Sequence, residues 1–125
     1  MIKTLIVGLG NIGFQFDKNN IKKKITHSSS VYHHKKFSLI GGVDKKQEVL
    51  SKFEKIYKVP SFKNLKISLK KLSPELIIFA NQPNLKDLNL LSKDKNIKFI
   101  LFEKPFIKNK YEIQKILKVL KKNKI

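Results

Sequence analysis

The 125-residue sequence contains no cysteine, no tryptophan and no arginine. Without cysteine there is no disulfide framework, no thiolate zinc site and no cysteine nucleophile. No stretch approaches the roughly 20 apolar residues of a membrane span. The apolar run that opens the chain, Met-Ile-Lys-Thr-Leu-Ile-Val-Gly, is too short for the core of a signal peptide. The expected compartment is the cytoplasm. Acidic residues are also scarce, 9 against 28 basic ones, for a formal charge of +19. Charge of that size invites a nucleic-acid reading, but all of it is lysine spread along the chain. Arginine, whose planar fork makes bidentate contacts to guanine and phosphate, is missing. The charge therefore reads as a solvated lysine surface, with a lysine-driven polyanion-binding module as a lesser alternative. Three histidines, His27, His33 and His34, have no spacing that would assemble a metal site, so no metal is expected; His33 and His34 read as solvated.

What is present is enough for one folded domain. Hydrophobic residues make up 41% of the chain, and a chain of this length buries roughly 65% of its unfolded surface on folding. Short apolar runs alternate with segments of helical periodicity, the pattern of repeated β-α-β units and a parallel sheet. Strands are expected at Ile2 to Val7, Leu39 to Val43, Leu76 to Ala80 and Ile97 to Phe102, with a short extra one near Val59 to Phe62. Amphipathic helices are expected at Lys45 to Tyr57, Leu65 to Leu72, Asn84 to Ser92 and Lys110 to Lys122. Residues Asp17 to Thr26 are lysine-rich and aperiodic and read as a surface loop. The fold class is α/β, a doubly wound parallel sheet of the Rossmann type, incomplete at the sixth strand. Ile97 to Phe102 is then an open edge unless the last helix or another chain covers it.

Gly8-Leu9-Gly10-Asn11-Ile12-Gly13 follows the first strand directly. In that position the first glycine allows a tight turn, the second lets a pyrophosphate approach the backbone, and the third lets the following helix sit close to the sheet. The N–H groups of that helix then face the phosphates. Asp44, closing the second strand, would accept hydrogen bonds from the adenosine ribose and repel a 2′-phosphate, favouring NAD over NADP. Lys45 and Lys46 could each pair with a 2′-phosphate, so NADP stays open. Asp44 lies 31 positions after Gly13 where about 20 is usual, and the Asp17 to Thr26 segment would account for the surplus of about 11.

These segments, with Asn81-Gln82-Pro83-Asn84-Leu85 after the third strong strand and Glu103-Lys104-Pro105 after the fourth, fall in an order that resembles the nucleotide-binding domain of the glucose-fructose oxidoreductase and inositol dehydrogenase (Gfo/Idh/MocA) family. The resemblance covers essentially the whole chain, residues 1–125, and Glu103-Lys104-Pro105 is its most specific part. Thr26-His27-Ser28-Ser29-Ser30-Val31-Tyr32 is similar to a subgroup in which a loop and a Thr-His-Ala-like segment follow the glycine motif. The resemblance implies that Gly8, Gly10, Asn11, Ile12 and Gly13 line the pyrophosphate and that Asp44 binds the adenosine ribose. It places Asn81, Gln82 and Pro83 near the nicotinamide and Glu103 among the cofactor-binding residues. Lys104 becomes the catalytic candidate, binding a substrate hydroxyl and stabilising the alkoxide that develops during hydride removal. His27 could approach cofactor or substrate, although a surface or capping role is the simpler expectation.

Two departures bear on function. The family carries a histidine where this chain has Lys86, in Pro83-Asn84-Leu85-Lys86. The family's second domain, which forms the substrate pocket, has no counterpart in residues 1–125. The expectation is therefore a nicotinamide-dinucleotide-binding domain of an oxidoreductase acting on a sugar or sugar-derived alcohol, not catalytically complete alone. The alternative from outside the enzymes is a non-catalytic nucleotide-binding partner subunit or sensor.

Overall fold

The computed structural model describes residues 1–104, 109–122 and 125. Five parallel strands, β1 (Ile2–Val7), β2 (Phe37–Val43), β3 (Ser61–Phe62), β4 (Leu76–Phe79) and β5 (Phe99–Phe102), form one sheet in the order β3-β2-β1-β4-β5. The chain winds outward from β1 to β3, then crosses back to β4 beside β1. The carboxyl ends of β1 and β4 thus flank the point where winding direction reverses, which in open α/β sheets is where ligands bind.

Both faces of the sheet are covered, which is why the central strands read as continuous apolar runs. Leu5 and Val7 of β1 and Ile77 and Phe79 of β4 point to one side, packing with α3 (Leu65–Leu72), α4 (Leu85–Ser92) and α5 (Lys110–Lys122) through Leu65, Leu69, Leu88, Leu91 and Ile116. Ile6 and Ile78 point to the other, against α1 (His27–His33) and α2 (Gln47–Tyr57) through Val31, Leu50, Phe53 and Tyr57. With only five glycines in the chain, α2 and α3 end on Lys58 and Ser73 in the left-handed conformation, at φ 57° and 47°. A non-glycine residue adopts that conformation at a cost of roughly 1 kcal/mol or more.

The expected elements are present with modest shifts at their ends, and two expectations need correction. First, β5 begins at Phe99; Ile97 is buried but precedes the strand. The described part of α5 lies on one face of the sheet. It packs against α4 and the face carrying Ile100 and Phe102, so Phe99 and Leu101 on the opposite face remain 54% and 45% exposed.

Second, the glycine motif is not followed by a continuous helix, and residues 17 to 26 are not simply a surface loop. After Gly10 the chain makes one wide turn, with Phe14 and Gln15 N–H groups both donating to the Gly10 carbonyl and Phe16 N–H to that of Asn11. It then leaves through two short 3-10 turns, Gln15–Asp17 and Ile21–Lys23, and returns as α1. The returning helix docks onto the turn it left. His27 N–H donates to Ile12 O at 2.9 Å and Ser28 N–H to Gly13 O at 3.1 Å. The Gly13–Ser28 separation is 15 positions where an α-helix has 4, a surplus of about 11, the same as that in the spacing from Gly13 to Asp44. The inserted residues are spliced into the first helix of the fold without displacing β2.

The splice has a buried anchor at each end. Phe14 is fully buried, edge-on to Phe53 at 5.5 Å, which contributes roughly 2–3 kcal/mol by area. Asp17 is 3% exposed. Its carboxylate accepts from Ile25 N–H (2.8 Å), Thr26 N–H (3.1 Å), Thr26 Oγ1 (2.8 Å) and Ser29 Oγ. Burial alone would raise the Asp17 carboxyl, but the Ser29, Thr26 and Ile25 donors outweigh it and hold it below the usual aspartate value. Thr26 also caps α1, accepting from Ser29 N–H. Between and beyond these buried contacts, Phe16, Asn19, Asn20 and residues 22–25 face solvent.

Candidate dinucleotide site

Each strand that carries a candidate residue ends with one further ladder bond. Gly8 N–H donates to Val43 O, Asp44 N–H to Phe62 O, Ala80 N–H to Val7 O and Glu103 N–H to Phe79 O, at 2.8 to 3.1 Å. The glycine turn, Asp44, the Asn81 segment and the Glu103 segment consequently leave the sheet along a single edge. Residues as far apart in sequence as His27 and Glu103, 76 positions, become neighbours there.

The three glycines have different surroundings. Gly8 sits at φ 92°, and a Cβ there would lie 2.9 Å from Asn81 Cβ. A Cβ on Gly13 would lie 2.1 Å from Gly8 O and 3.1 Å from Ala80 Cβ, so this glycine lets the turn close onto the sheet. A Cβ on Gly10 would meet nothing within 4 Å. Gly10 is exposed at the rim, and the space above its backbone is open in the way that close approach of a phosphate demands. Asn11 is exposed beside it and Ile12 is half-buried. Because α1 begins only after the insertion and its first amides are turned onto Ile12 O and Gly13 O, the helix N-terminus expected to face the phosphates is shortened to the single turn after Gly10.

Asp44 braces the turn directly. Its Oδ2 accepts from Leu9 N–H at 2.8 Å, within the glycine motif, and its Oδ1 accepts from Lys46 N–H at 3.0 Å. Next to it opens a cleft of about 640 Å³ at the ends of β1 and β2, between the first turns of α3 and α4. That volume suits a nucleoside-sized ligand. Asp44 and Asn81 line it together with five lysines, Lys45, Lys46, Lys63, Lys66 and Lys86. Asp87 lies on its wall; burial pushes this carboxyl up, against the opposing pull of Lys86 and Lys45. Lys63, Lys86 and Asp87 were not among the residues expected from sequence, since nothing in their spacing announces a shared cleft.

On the other side of the glycine turn stands the Glu103 segment. Glu103 Oε2 meets His27 Nε2 at 2.5 Å, and Glu103 Oε1 accepts from Lys104 N–H at 3.1 Å. The His27 bond is the main cause holding the Glu103 carboxyl below the usual glutamate value. Lys104 is exposed; Pro105 lies outside the described residues. Gln82 is exposed and Pro83 buried at the start of α4. His33, expected to be solvated, is half-buried and bonds through Nδ1 to Ser29 O at 2.8 Å, within its own helix. Among the described residues no cluster of histidine and acidic side chains could hold a metal ion, and no helix is long and apolar enough to cross a membrane.

No protein-family model matches the sequence, and no curated protein matches it. Solved structures do match. A protein from Bordetella bronchiseptica described as a dehydrogenase superposes with a TM-score of 0.80 at 18% identity, covering 99% of this chain and 30% of its own. The shared fold is a Rossmann-type α/β sheet. The WlbA dehydrogenase from Bordetella pertussis, solved with NADH and UDP-GlcNAcA, gives 0.75 at 18% identity over 98% of this chain and 32% of its own. The scyllo-inositol dehydrogenase from Lactobacillus casei, solved with NAD(H) and scyllo-inositol, gives 0.73 at 18% over 98% and 34%. The chain spans about a third of the length of these structures. The likeness seen in the sequence to inositol dehydrogenases and their relatives thus extends to the fold.

Proposed function

We propose that residues 1–125 form the nicotinamide-dinucleotide-binding domain of a cytoplasmic oxidoreductase acting on a sugar or sugar-derived alcohol. The observation that carries the reading is the open backbone at Gly10, beside a β2-terminal Asp44 carboxylate that is bonded back to the glycine turn. In this reading Asp44 accepts from the adenosine ribose, whose base enters the lysine-rimmed cleft, and the backbone from Gly8 to Gly13 cradles the pyrophosphate. NAD fits the carboxylate; NADP stays open through Lys45 and Lys46. The nicotinamide half lies toward Asn81, Gln82, Pro83 and the Glu103-Lys104 turn.

The cofactor, when bound, supplies a hydride acceptor. Lys104 is assigned to hold the substrate hydroxyl and to stabilise negative charge on its oxygen as the hydride leaves. Hydride transfer also needs a positioned substrate and a proton acceptor. The reading therefore requires a substrate-binding part beyond these residues, in keeping with the share of the similar dehydrogenases that the chain spans.

The test is calorimetric titration of the chain with NADH, beside a Gly10→Val variant. A Cβ at this position meets nothing within 4 Å, so the variant is expected to stay folded and to lose NADH binding at least tenfold. Undiminished affinity in Gly10→Val would remove the glycine turn from the reading.

A further inference from the structure

The insertion does more than lengthen the chain. It delivers a histidine to the carboxyl edge of the sheet, and the residues that deliver it leave little freedom in where that histidine lies. His27 is the first residue of α1, and its own N–H is bonded to Ile12 of the glycine motif. The next residue is held twice to Gly13 O, by Ser28 N–H at 3.1 Å and by Ser28 Oγ at 2.5 Å. On the other flank Thr26 is fully buried and bound to the Asp17 carboxylate through both its N–H and its hydroxyl. From this fixed position the imidazole reaches Glu103, 76 positions away, at 2.5 Å.

Glu103 is equally constrained. Its N–H extends the ladder onto Phe79 O, and its second carboxylate oxygen takes the N–H of Lys104. The pair therefore bridges from the glycine turn, across the end of β4, to the residue that leads into Lys104. The side chains of His27 and Glu103 are 20% and 28% exposed, so the bridge lies at the rim of the site, where a ligand crossing the sheet edge would meet it. It stands on the opposite side of the glycine turn from the cleft that contains Asp44. Deepening the reading above, on which this inference rests, we propose that His27 and Glu103 are a positioning pair for the nicotinamide half of the dinucleotide. By tying the Lys104 turn to the glycine turn, they fix the distance over which the ligand runs from pyrophosphate to nicotinamide. Neither residue is assigned a role in chemistry.

The pair acts on one half of the ligand only, and this makes it separable from general effects on folding. ADP-ribose carries the adenosine, the pyrophosphate and the second ribose of NADH but no nicotinamide. Both ligands are titrated into the chain, and into His27→Ala, Glu103→Ala and His27→Gln, with thermal melts run in parallel. Wild type is expected to bind NADH more tightly than ADP-ribose. Each alanine variant should weaken NADH about tenfold and change ADP-ribose by less than about twofold. His27→Gln, which keeps a donor for Glu103, should recover most of the NADH affinity. Equal losses for both ligands, or NADH affinity unchanged in the alanine variants, would overturn the positioning role and leave the cofactor reading standing. A wild-type chain that binds neither ligand would remove that reading as well.

Discussion

Single residues in this chain show how one side chain can control a segment while leaving the architecture around it alone. Gly10 and Gly13 belong to one motif but face opposite constraints. A side chain at Gly10 enters open space, whereas one at Gly13 drives into the Gly8 carbonyl. A Gly13→Ala variant is accordingly expected to lower the melting temperature well beyond any change in Gly10→Val, with circular dichroism as the readout. Asp17 controls the insertion. Its folded-state carboxyl is held below the ordinary value, so it contributes stability that is complete above the unfolded pKa and is lost as pH falls through the folded one. Asp17→Asn puts an amide against donors and should cost about 2–3 kcal/mol at neutral pH. Urea denaturation at neutral pH and below pH 4 checks the sign: the gap between wild type and variant should narrow in acid. A gap that is constant or widens would mean that the carboxylate charge contributes nothing.

Among elements, legibility followed the range of the interactions that make them. β1, α3 and α5 fall where periodicity places them, because each is set by apolar spacing within a few residues. β2 starts earlier than its apolar run suggests, since Phe37 and Ser38 pair with Ile2 and Lys3 of β1, a partnership that their own spacing does not announce. The splice in the first helix was legible only as a surplus in the distance to Asp44. Its cause, amides finding carbonyls 15 positions away instead of 4, leaves no local trace beyond the Thr26 cap with Ser29. The glycine motif and Asp44 were legible because a turn and a strand end are local events. The His27–Glu103 contact was not, because the fold alone brings these residues together. Excision of residues 15–25 would place His27 four positions after Ile12 and turn the splice bonds into ordinary helical ones. It also removes Asp17 and leaves the buried Thr26 and Ser29 hydroxyls to bond each other and the Thr26 carbonyl, as they already do in part. The shortened chain is expected to melt cooperatively, with more helical ellipticity per residue than the parent. A shortened chain that fails to fold would show the insertion to be part of the core.

At the scale of the whole molecule, the charge that first suggested a nucleic-acid partner takes on a narrower meaning. Lysine is spread over the surface, but five of these side chains, Lys45, Lys46, Lys63, Lys66 and Lys86, line the cleft beside Asp44. Against the two carboxylates on its walls, Asp44 and Asp87, the lysines leave the cleft with an excess of positive charge, which low-dielectric walls concentrate. Stopped-flow mixing with NADH should show association slowing as ionic strength rises, with dissociation nearly constant, since screening acts on the approach of separated charges more than on short contacts. Dissociation that quickens with salt while association stays level would assign the lysines to direct contacts instead. On the proposed reading the lysine-lined cleft has a kinetic consequence: it would hasten the ligand's arrival, while the length of its stay would depend on the glycine turn and Asp44.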